Sequence, residues 1–571
     1  MRKDSWFSST SLWLTLCVTV AAVLVGCSKG EDDRAETTPA PAPAGSAPAQ
    51  AVELVFVYGS EKKAWINDVT AAFNADAGHV VAGKRVTVKA VPTGSGELVE
   101  AVLSGAEKPD LISPASAAFV KLGNAQSRAK TGEDLVGPTE NLVLSPVVIA
   151  TWRPMAEALG WGKRPVGWAD VLDVAGNPKG WDAYGHPEWG KFKLGHTHPD
   201  FSNSGLITAL AMAYAANGKV AGLGAGEVGS EATASYVRRI ESAVQHYGSS
   251  TGFFAERLRS GGPGYLSAAV LYESSVVEAN QSPQGLPFPL VAIYPKEGTF
   301  WSDHPVGVVN RPWVTDERKA AAKAYIEFLL ARPQQEKALA YGFRPADPGV
   351  AVGRPVAAEF GVDPAEPKTT LEVPSAEVMN AVLSAWRANK KSAEVVLVLD
   401  TSGSMNAADK MTQAKAGAEQ LVERLGDADR LSLLPFNNEA RWAGQGLPMS
   451  GQRQAAVGTL RNLIASGGTR LYDSIDAAVA YFEKNPAADR IAAVVVLTDG
   501  QDTDSRLKLE QLVAKIKSDD EHAGVRVFTI GYGQDADEKV LKRIADVTQG
   551  KYYKGTPQNI RDVFRDIATF F

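Results

Sequence analysis

The stretch AEVVLVLD (393–400), followed directly by TSGSM (401–405), decides the fold of the C-terminal third of the chain. Its near-continuous apolar run is typical of a buried strand in a parallel sheet, and such folds bind ligands where a strand ends. Asp400, Ser402 and Ser404 alternate, so a tight turn aims one carboxylate and two hydroxyls at a single point. Hard oxygen ligands of this kind suit Mg²⁺, and the pattern therefore predicts a magnesium site at this turn.

Strand and helix patterns alternate from this point to the end of the chain. Strand patterns recur at 430–436, 490–499 and 525–532, and helical patterns occur at 406–425, 451–464, 471–484 and 505–518. This alternation predicts a doubly wound, Rossmann-like α/β domain over residues 392–571. Its final helix carries Ile560, Val563, Phe564 and Ile567 at helical spacing, which predicts docking onto the sheet.

Two later segments complete a recognisable constellation. SGGTRLYDS contains Thr469, and VVVLTDG contains Asp499. With Asp400, Ser402 and Ser404, they resemble in type and chain order the metal-ion-dependent adhesion site of von Willebrand factor type A (VWA) domains. The resemblance covers residues 392–571. It implies that the two serines and the threonine contact the metal, that the carboxylates often act through water, and that a protein partner supplies an acidic group. The alternative is that Asp400 and the two serines only cap the following helix.

No catalytic constellation accompanies this site. His522 is the one histidine of the C-terminal domain, and nothing in the sequence places it beside Ser402 or Ser404 as a base. Asp502 and Asp504 are interpreted as exposed loop carboxylates, and modulation of the metal site is the alternative. Paired catalytic carboxylates, a Ser-His-Asp arrangement and a phosphate loop are not apparent, so we expect a protein that is not an enzyme.

The N-terminal half also alternates strands and helices. Strand patterns at 52–58, 84–91 and 110–113 flank helical patterns at 61–75 and 97–104, which predicts a mostly parallel sheet. Small polar residues stand where strands give way to helices, and the candidate ligand donors are Ser60, Ser95, Ser113 and Ser204. Helix N-termini with serine hydroxyls favour a small polar or anionic solute.

Several of these segments resemble bacterial extracellular solute-binding proteins. The matching stretches include PTGSGELVEAVLSG, KPDLISPAS and YPKEGTFWSDHP, and the resemblance covers residues 51–350. It implies a two-lobed type II periplasmic-binding-protein fold that closes around a ligand between the lobes. Tyr272 and Glu273 are candidate ligand contacts from the second lobe, and a buried ion pair with an arginine is an equal alternative for Glu273.

Other polar residues of this half receive a structural interpretation. His196 and His198 share one strand face and, with His186 and His304, hint at a transition-metal site. Hydrogen-bonding loop histidines are the favoured interpretation because no rigid ligand spacing is present. Lys62 and Lys63 are interpreted as a solvated helix start, and positive potential at the ligand cleft is the alternative.

The N-terminus has the pattern of an export signal. A positive start is followed by the apolar stretch 12–25 and by Leu24-Val25-Gly26-Cys27. These last four residues resemble the lipobox of bacterial lipoproteins, which implies cleavage after Gly26 and acylation of Cys27; a signal with a chance cysteine is the alternative. The predicted organisation is a signal peptide at 1–26, a Pro/Ala-rich tether at 27–50, a solute-binding domain at 51–350, a connector at 351–391 and the VWA domain at 392–571.

Composition excludes other classes of protein. The 571 residues carry a formal charge of −6, so a nucleic-acid binder that relies on a basic field is not expected. Cys17 and Cys27 are the two cysteines, which excludes disulfides and thiolate zinc sites from the body of the protein. A mean hydropathy of −0.13 excludes a multi-span membrane protein.

These features predict a non-enzymatic, lipid-anchored extracytoplasmic binding protein. One module recognises a small solute, and the other recognises a protein partner through Mg²⁺. Two alternatives stay open, a solute receptor of an ABC-type importer with the VWA domain as accessory and an envelope assembly scaffold. Coupling between the modules through the connector is a further hypothesis.

Overall fold

The apolar strand Ala51–Gly59 lies at the centre of the first of three six-stranded sheets in the computed structural model, which describes residues 51–486, 489–517 and 525–571. It pairs in parallel with Lys84–Thr93 on one side and with Leu111–Ser113 on the other. The strand order is Val80–Val81, Lys84–Thr93, Ala51–Gly59, Leu111–Ser113, Pro305–Val309 and Val136–Asn141. The predicted signal peptide, the Cys27 anchor and the tether lie outside the described residues.

The second sheet forms the other lobe around the long strand Val143–Trp152. Four strands pair with it in antiparallel orientation: Ala268–Tyr272, Leu290–Ile293, Trp301–Ser302 and Arg344–Pro345. Leu194–Gly195 adds to Ala268–Tyr272 in parallel. The chain enters this lobe after Val136–Asn141 and returns to the first lobe at Pro305–Val309, which gives the two-lobed arrangement that the sequence predicts.

Helices cover both lobes. The longer ones are Lys63–Ala75, Ser95–Ser104, Ala117–Thr131, Trp168–Ala175, Asn203–Asn217, Glu231–Glu241, Thr251–Tyr265, Glu273–Gln281, Asp316–Leu330 and Arg332–Ala340. A helical pattern continues to Tyr247 in the sequence, yet the helix ends at Glu241 because the chain turns there and Val244 pairs with Leu194. Among the described residues, no helix combines the length and the apolar character needed to cross a bilayer.

The third sheet belongs to the C-terminal domain. Its order is Gly444–Pro448, Arg430–Phe436, Ala393–Asp400, Ile491–Thr498, Arg526–Tyr532 and Tyr552–Gly555, and only Gly444–Pro448 is antiparallel to its neighbour. Val395 and Leu397 pack into one core layer, whereas Val396 and Val398 pack into the other. The central strand is thus buried on both faces, which explains its continuous apolar run.

Among the described residues of this domain, six helices cover the two faces of the sheet. They are Lys410–Arg424, Met449–Arg461, Leu471–Lys484, Leu509–Ile516, Glu538–Val547 and Ile560–Ala568. The first begins later than the predicted 406–425, because Ala408 and Asp409 adopt positive φ values of 50° and 60°. The segment Gly403–Asp409 therefore forms a separate turn of 3₁₀ type ahead of the helix, and this turn carries the candidate metal ligand Ser404.

The connector contains one long helix, Ala376–Asn389, which fixes the C-terminal domain to the second lobe. Its buried Trp386 donates from Nε1 to a carboxylate oxygen of Glu241 at 2.7 Å. The same carboxylate lies 3.1 Å from Nε2 of His196 and accepts from the Tyr247 hydroxyl at 2.6 Å. A charged group with three partners is well satisfied in the interior.

Candidate metal centre and solute cleft

Asp400 ends the central strand and is completely buried. Its Oδ1 accepts from the backbone N–H of Ser402 at 2.7 Å, and its Oδ2 accepts from the Thr498 hydroxyl at 2.6 Å. Burial raises the pKa of Asp400 and the charge of Asp499 raises it further, while the hydrogen bonds from Ser402 and Thr498 lower it. Burial outweighs these hydrogen bonds, so the pKa of Asp400 lies above its ordinary value, while the two bonds fix the orientation of the carboxylate at the end of the sheet.

The two serines connect this carboxylate to a second one. Ser402 Oγ lies 3.0 Å from Ser404 Oγ, and Ser404 Oγ donates to Oδ1 of Asp499 at 2.7 Å. Asp499, also completely buried, follows the neighbouring strand Ile491–Thr498. The structure thus brings four of the five predicted ligands into one hydrogen-bonded chain, which we call the oxygen chain (Asp400, Ser402, Ser404 and Asp499).

The fifth predicted ligand, Thr469, lies on a loop that docks onto the oxygen chain. Ser466 donates its N–H to the Thr401 carbonyl at 2.7 Å, and Gly403 donates to the Gly467 carbonyl at 2.9 Å. The Thr469 hydroxyl oxygen lies 3.8 Å from the point that a Cβ on Gly500 would occupy. Thr469 therefore stands beside the residue that follows Asp499.

Asp502 and Asp504 hold that loop, so their interpretation as solvated loop carboxylates is corrected. Asp504 Oδ2 accepts from the Thr469 N–H at 3.0 Å. Asp502 Oδ1 accepts from the N–H groups of Leu471 and Tyr472 at 2.8 and 3.3 Å, at the start of the helix Leu471–Lys484. Acceptors at a helix N-terminus stabilise it, and here they also fix the backbone of Thr469. His522 lies outside the described residues.

Lys410 is a participant that the sequence analysis missed. Its ammonium donates to Oδ2 of Asp499 at 2.7 Å, and its side chain is only 12% exposed. The sequence does show a lysine in the first turn of the helix that follows TSGSM. It does not show that this lysine contacts Asp499, because the two residues lie far apart in the chain.

The donor set fits a hard divalent cation. The oxygen chain and Thr469 offer two carboxylates and three hydroxyls, the ligand types that Mg²⁺ accepts. Within the described ranges, His, Cys, Asp and Glu form no group of three or more that could hold a metal ion. The histidines instead pair within the protein: His196 with Glu241, and His304 with Glu61 at 3.2 Å.

A cleft of about 770 Å³ lies between the two lobes. The first lobe contributes Ser60, Glu61 and Glu97 to its wall, and the second contributes Ser250, Phe253 and Glu278. A volume of this order accommodates a small solute. Of the predicted ligand donors, Ser60 lines this cleft.

The other predicted donors lie in a buried polar layer behind the wall. Ser95 Oγ accepts from the Ala115 N–H at 3.0 Å, and Ser204 Oγ lies 2.8 Å from the Thr251 hydroxyl. Tyr272 accepts from the Asn203 amide at 3.1 Å. Ser113 is buried, and its hydroxyl has no hydrogen-bond partner among the described residues. In this structure these side chains contact the protein rather than the cleft.

Glu273 takes the ion-pair role that was weighed as its alternative. Both of its carboxylate oxygens accept from the Arg344 guanidinium, at 2.8 and 2.6 Å, and the group is completely buried. The Tyr294 hydroxyl adds a third donor at 2.5 Å. A bidentate pair with an additional hydrogen bond compensates the desolvation of both charges.

The interpretation of Lys62 as a solvated residue is wrong. Lys62 is completely buried, and its ammonium donates to Glu61 at 2.7 Å and lies 3.2 Å from His304 Nδ1. Burial lowers the pKa of His304 to about 4, so the ring is neutral at pH 7. Lys63 is exposed, as expected.

At two of the helix N-termini that were predicted to bind an anionic solute, backbone N–H groups donate to acceptors of the protein itself. Gly96 donates its N–H to the Phe201 carbonyl of the other lobe at 2.9 Å. Ala117 donates to the Asp303 carboxylate at 2.9 Å. These donors are already satisfied, and the lobes are in direct contact at Gly96.

Comparison with known proteins agrees with both halves of the architecture. The family model for bacterial extracellular solute-binding proteins matches residues 54–344, about half of the chain, and that for the von Willebrand factor type A domain matches residues 394–565. The periplasmic thiamin binding protein is 14% identical, covers 61% of this chain and 98% of its own, and has a TM-score of 0.43.

Two curated relatives extend the comparison. The uncharacterized protein Rv1836c of Mycobacterium tuberculosis is 23% identical over 511 residues, 84% of this chain and 71% of that protein. The uncharacterized protein sll0103 of Synechocystis is 30% identical over 177 residues, 30% of this chain, which span 40% of the length of that relative. The chain therefore belongs to the bacterial extracellular solute-binding proteins and carries a von Willebrand factor type A domain at its C-terminal end.

Proposed function

We propose that this protein is a lipid-anchored extracytoplasmic binding protein that is not an enzyme. It recognises a small polar solute in the cleft between its lobes and a protein partner through Mg²⁺ at the VWA domain. Ser402, Ser404 and Thr469 would contact the metal, and Asp400 and Asp499 would balance its charge, in part through water.

The observation that carries this proposal is the oxygen chain. Ser402 Oγ, Ser404 Oγ and the buried Asp499 carboxylate follow one another within 3.0 Å, and the buried Asp400 is held beside them by the N–H of Ser402. Two carboxylates and two hydroxyls, the oxygen types that Mg²⁺ binds, thus stand together at the end of the sheet. Mg²⁺ supplies a Lewis-acidic centre that takes six oxygen ligands and often keeps water. An acidic side chain of a partner can replace such a water, which makes recognition dependent on the metal.

Metal binding is tested by the melting temperature of the full chain titrated with Mg²⁺ after treatment with chelator. A ligand that binds the native state raises this temperature, so we expect a rise for wild type and none for Asp400→Ala or Ser404→Ala. Asp427→Ala is the matched control, because this carboxylate is 81% exposed and pairs only with Arg453 at the surface. Equal rises in wild type and Asp400→Ala, or no rise in wild type, would contradict the metal site.

The cleft is tested separately with a panel of amino acids, monosaccharides, sulfate and phosphate. Ala255 lines the cleft, so Ala255→Trp fills part of it. A solute that stabilises wild type but not this variant binds between the lobes. If no solute distinguishes the two proteins, the cleft is not a binding site for these classes.

The anchor rests on the resemblance of Leu24-Val25-Gly26-Cys27 to a lipobox. Acyl chains on one residue give stable membrane attachment when more than one is present. Mass spectrometry of the protein from membranes should find an acylated Cys27 at the mature N-terminus. An unmodified Cys27, or a mature start elsewhere, would remove the anchor from the proposal.

A further inference from the structure

We infer that Lys410 is an internal counter-cation of the metal centre, which competes with the divalent ion for Asp499 and thereby sets the affinity for metal. The inference rests on the proposed function, since it concerns the same site. It adds a residue whose charge opposes the metal instead of binding it.

Several contacts of the protein fix the position of Lys410. The ammonium bonds Asp499 Oδ2 at 2.7 Å, while Ser404 occupies the other oxygen, Oδ1, at the same distance. The Tyr532 hydroxyl donates to the Lys410 carbonyl at 3.0 Å. Gly533, with a φ of 101°, lies against the lysine stem, since a Cβ there would be 3.4 Å from Lys410 Cε. Tyr532 thus fixes the backbone of Lys410, and the missing side chain at Gly533 leaves room for the lysine stem beside it.

The charges explain what this lysine does. Asp400 and Asp499 together contribute −2 and Lys410 contributes +1, so the directly bonded groups sum to −1. A divalent ion brings this sum to +1, and a carboxylate from a partner brings it to zero. Without Lys410 the metal alone would neutralise the two aspartates, and the carboxylate of a partner would meet a neutral site.

Two opposite effects follow from removing the charge. Without metal, removal of Lys410 would leave the buried carboxylate of Asp499 beside Asp400 without its counter-cation, which destabilises the fold. When metal binds to a protein that lacks the Lys410 ammonium, no positive charge beside Asp499 repels the incoming ion, so metal binding becomes stronger. A lysine with only a structural role would weaken both properties when removed.

The test uses the full chain stripped with chelator and titrated with Mn²⁺, followed by the EPR signal of the free ion, with Mg²⁺ as competitor. Lys410→Met and Lys410→Gln should bind the metal about tenfold more tightly than wild type and should melt at a lower temperature in chelator. Glutamine keeps a donor for Asp499 without the charge, so it decides the question if the methionine variant does not fold. Lys415→Met is the matched control on the same helix, where the ammonium only reaches the Arg461 carbonyl.

The outcomes separate this inference from the proposed function. Metal binding by wild type with equal or weaker binding by both Lys410 variants overturns the inference and leaves the metal site intact. No metal binding by wild type or by any variant overturns the proposed metal site, and the inference with it. Tighter binding by Lys415→Met to the same extent would show a general charge effect and would also overturn the inference.

Discussion

The hydroxyl of Thr498 shows how a single residue supports the candidate metal centre. This residue is completely buried, and its hydroxyl donates to Oδ2 of Asp400 at 2.6 Å. A buried carboxylate oxygen without a donor loses its desolvation compensation. Partners that orient a metal ligand from behind commonly affect metal affinity as well.

Thr498→Val therefore tests the hydrogen bond to Asp400, because valine has nearly the shape of threonine but no hydroxyl. We expect a loss of about 1–3 kcal/mol in the free energy of unfolding and a metal affinity about tenfold weaker. Urea denaturation and Mn²⁺ titration measure the two effects. Thr459→Val is the control, because its hydroxyl only returns to the Ala455 carbonyl on a half-exposed helix face. A Thr498 variant as stable as this control would contradict the role of the hydrogen bond.

The buried side chain of His198 makes the stability of the fold depend on pH. Burial lowers its pKa from 6.5 to about 3, while the unfolded chain takes up a proton near the ordinary value. Between these values the unfolded state binds more protons, so stability rises with pH and is lost as pH falls below about 6.5. From pH 7 to pH 5 this histidine alone removes about 2 kcal/mol.

The prediction is checked by urea denaturation at pH 7 and pH 5. His198→Asn should show a loss of stability between these values that is smaller by about 2 kcal/mol than that of wild type. His304 and His246 also have lowered pKa values and remain in the variant, so some acid sensitivity persists. An unchanged pH dependence would mean that His198 is accessible to protons in the folded state.

At the scale of elements, two helices of the C-terminal domain touch through a glycine. Gly417 lies on Lys410–Arg424, the helix that carries Lys410, and faces the C-terminal helix Ile560–Ala568. A Cβ at Gly417 would stand 2.5 Å from Cδ2 of the buried Phe564. The close approach explains a glycine in a helix interior, where alanine is intrinsically favoured by about 1 kcal/mol.

Gly417→Ala should consequently destabilise the protein, by about 1–3 kcal/mol, despite the better helix propensity of alanine. Gly458 in the helix Met449–Arg461 is the matched control, since a Cβ there meets nothing within 4 Å. Gly458→Ala should stabilise by about 0.5–1 kcal/mol. Thermal and urea denaturation of both variants would show opposite signs, and equal signs would contradict the packing argument.

Elements with a strong local pattern were predictable, and those that depend on tertiary context were not. The strand at 393–400 and the helix at 471–484 have the predicted bounds. The strand is apolar throughout because both of its faces are buried, and the helix has apolar residues at helical spacing because one of its faces is buried. The strand Gly444–Pro448 was missed, since its sequence GQGLP has no strand pattern and it forms only by pairing at the sheet edge.

The same distinction applies to the sites. Asp400, Ser402 and Ser404 stand close together in sequence, so one turn brings them together. Lys410 and Asp499 are 89 residues apart, and no local pattern connects them. Ser95 and Ser204 sit at helix starts as predicted, but contacts from the other lobe, such as that of the Phe201 carbonyl with Gly96, could not be foreseen. Sequence therefore locates the turns, and the packing of the lobes decides which groups stay accessible.

At the scale of the whole molecule, the C-terminal domain contacts both lobes directly. On the first lobe, Arg565 lies 3.4 Å from Glu97 and Arg424 lies 3.3 Å from Glu100. On the second lobe, the Phe570 ring packs 5.3 Å from that of Phe253. Glu97 and Phe253 also line the solute cleft. Coupling between the solute cleft and the C-terminal domain was first assigned to the connector as a hypothesis. The contacts of Arg565 and Phe570 add a second candidate route, through the end of the chain.

The apolar contact should dominate this interface, and two variants compare it with the ion pair. Phe570 is 2% exposed and also packs 4.8 Å from Phe528, so Phe570→Ala should lower the free energy of unfolding by about 3–5 kcal/mol. Arg565 is 32% exposed, and ion pairs at such sites contribute about 0–1 kcal/mol, so Arg565→Ala should change little. Calorimetry measures both and should show the Phe570 variant unfolding at a lower temperature, with the transitions of the two domains separated. If Phe570→Ala unfolds like Arg565→Ala, the domains are joined mainly through Trp386 and the connector helix, and the end of the chain does not link the cleft to the metal centre.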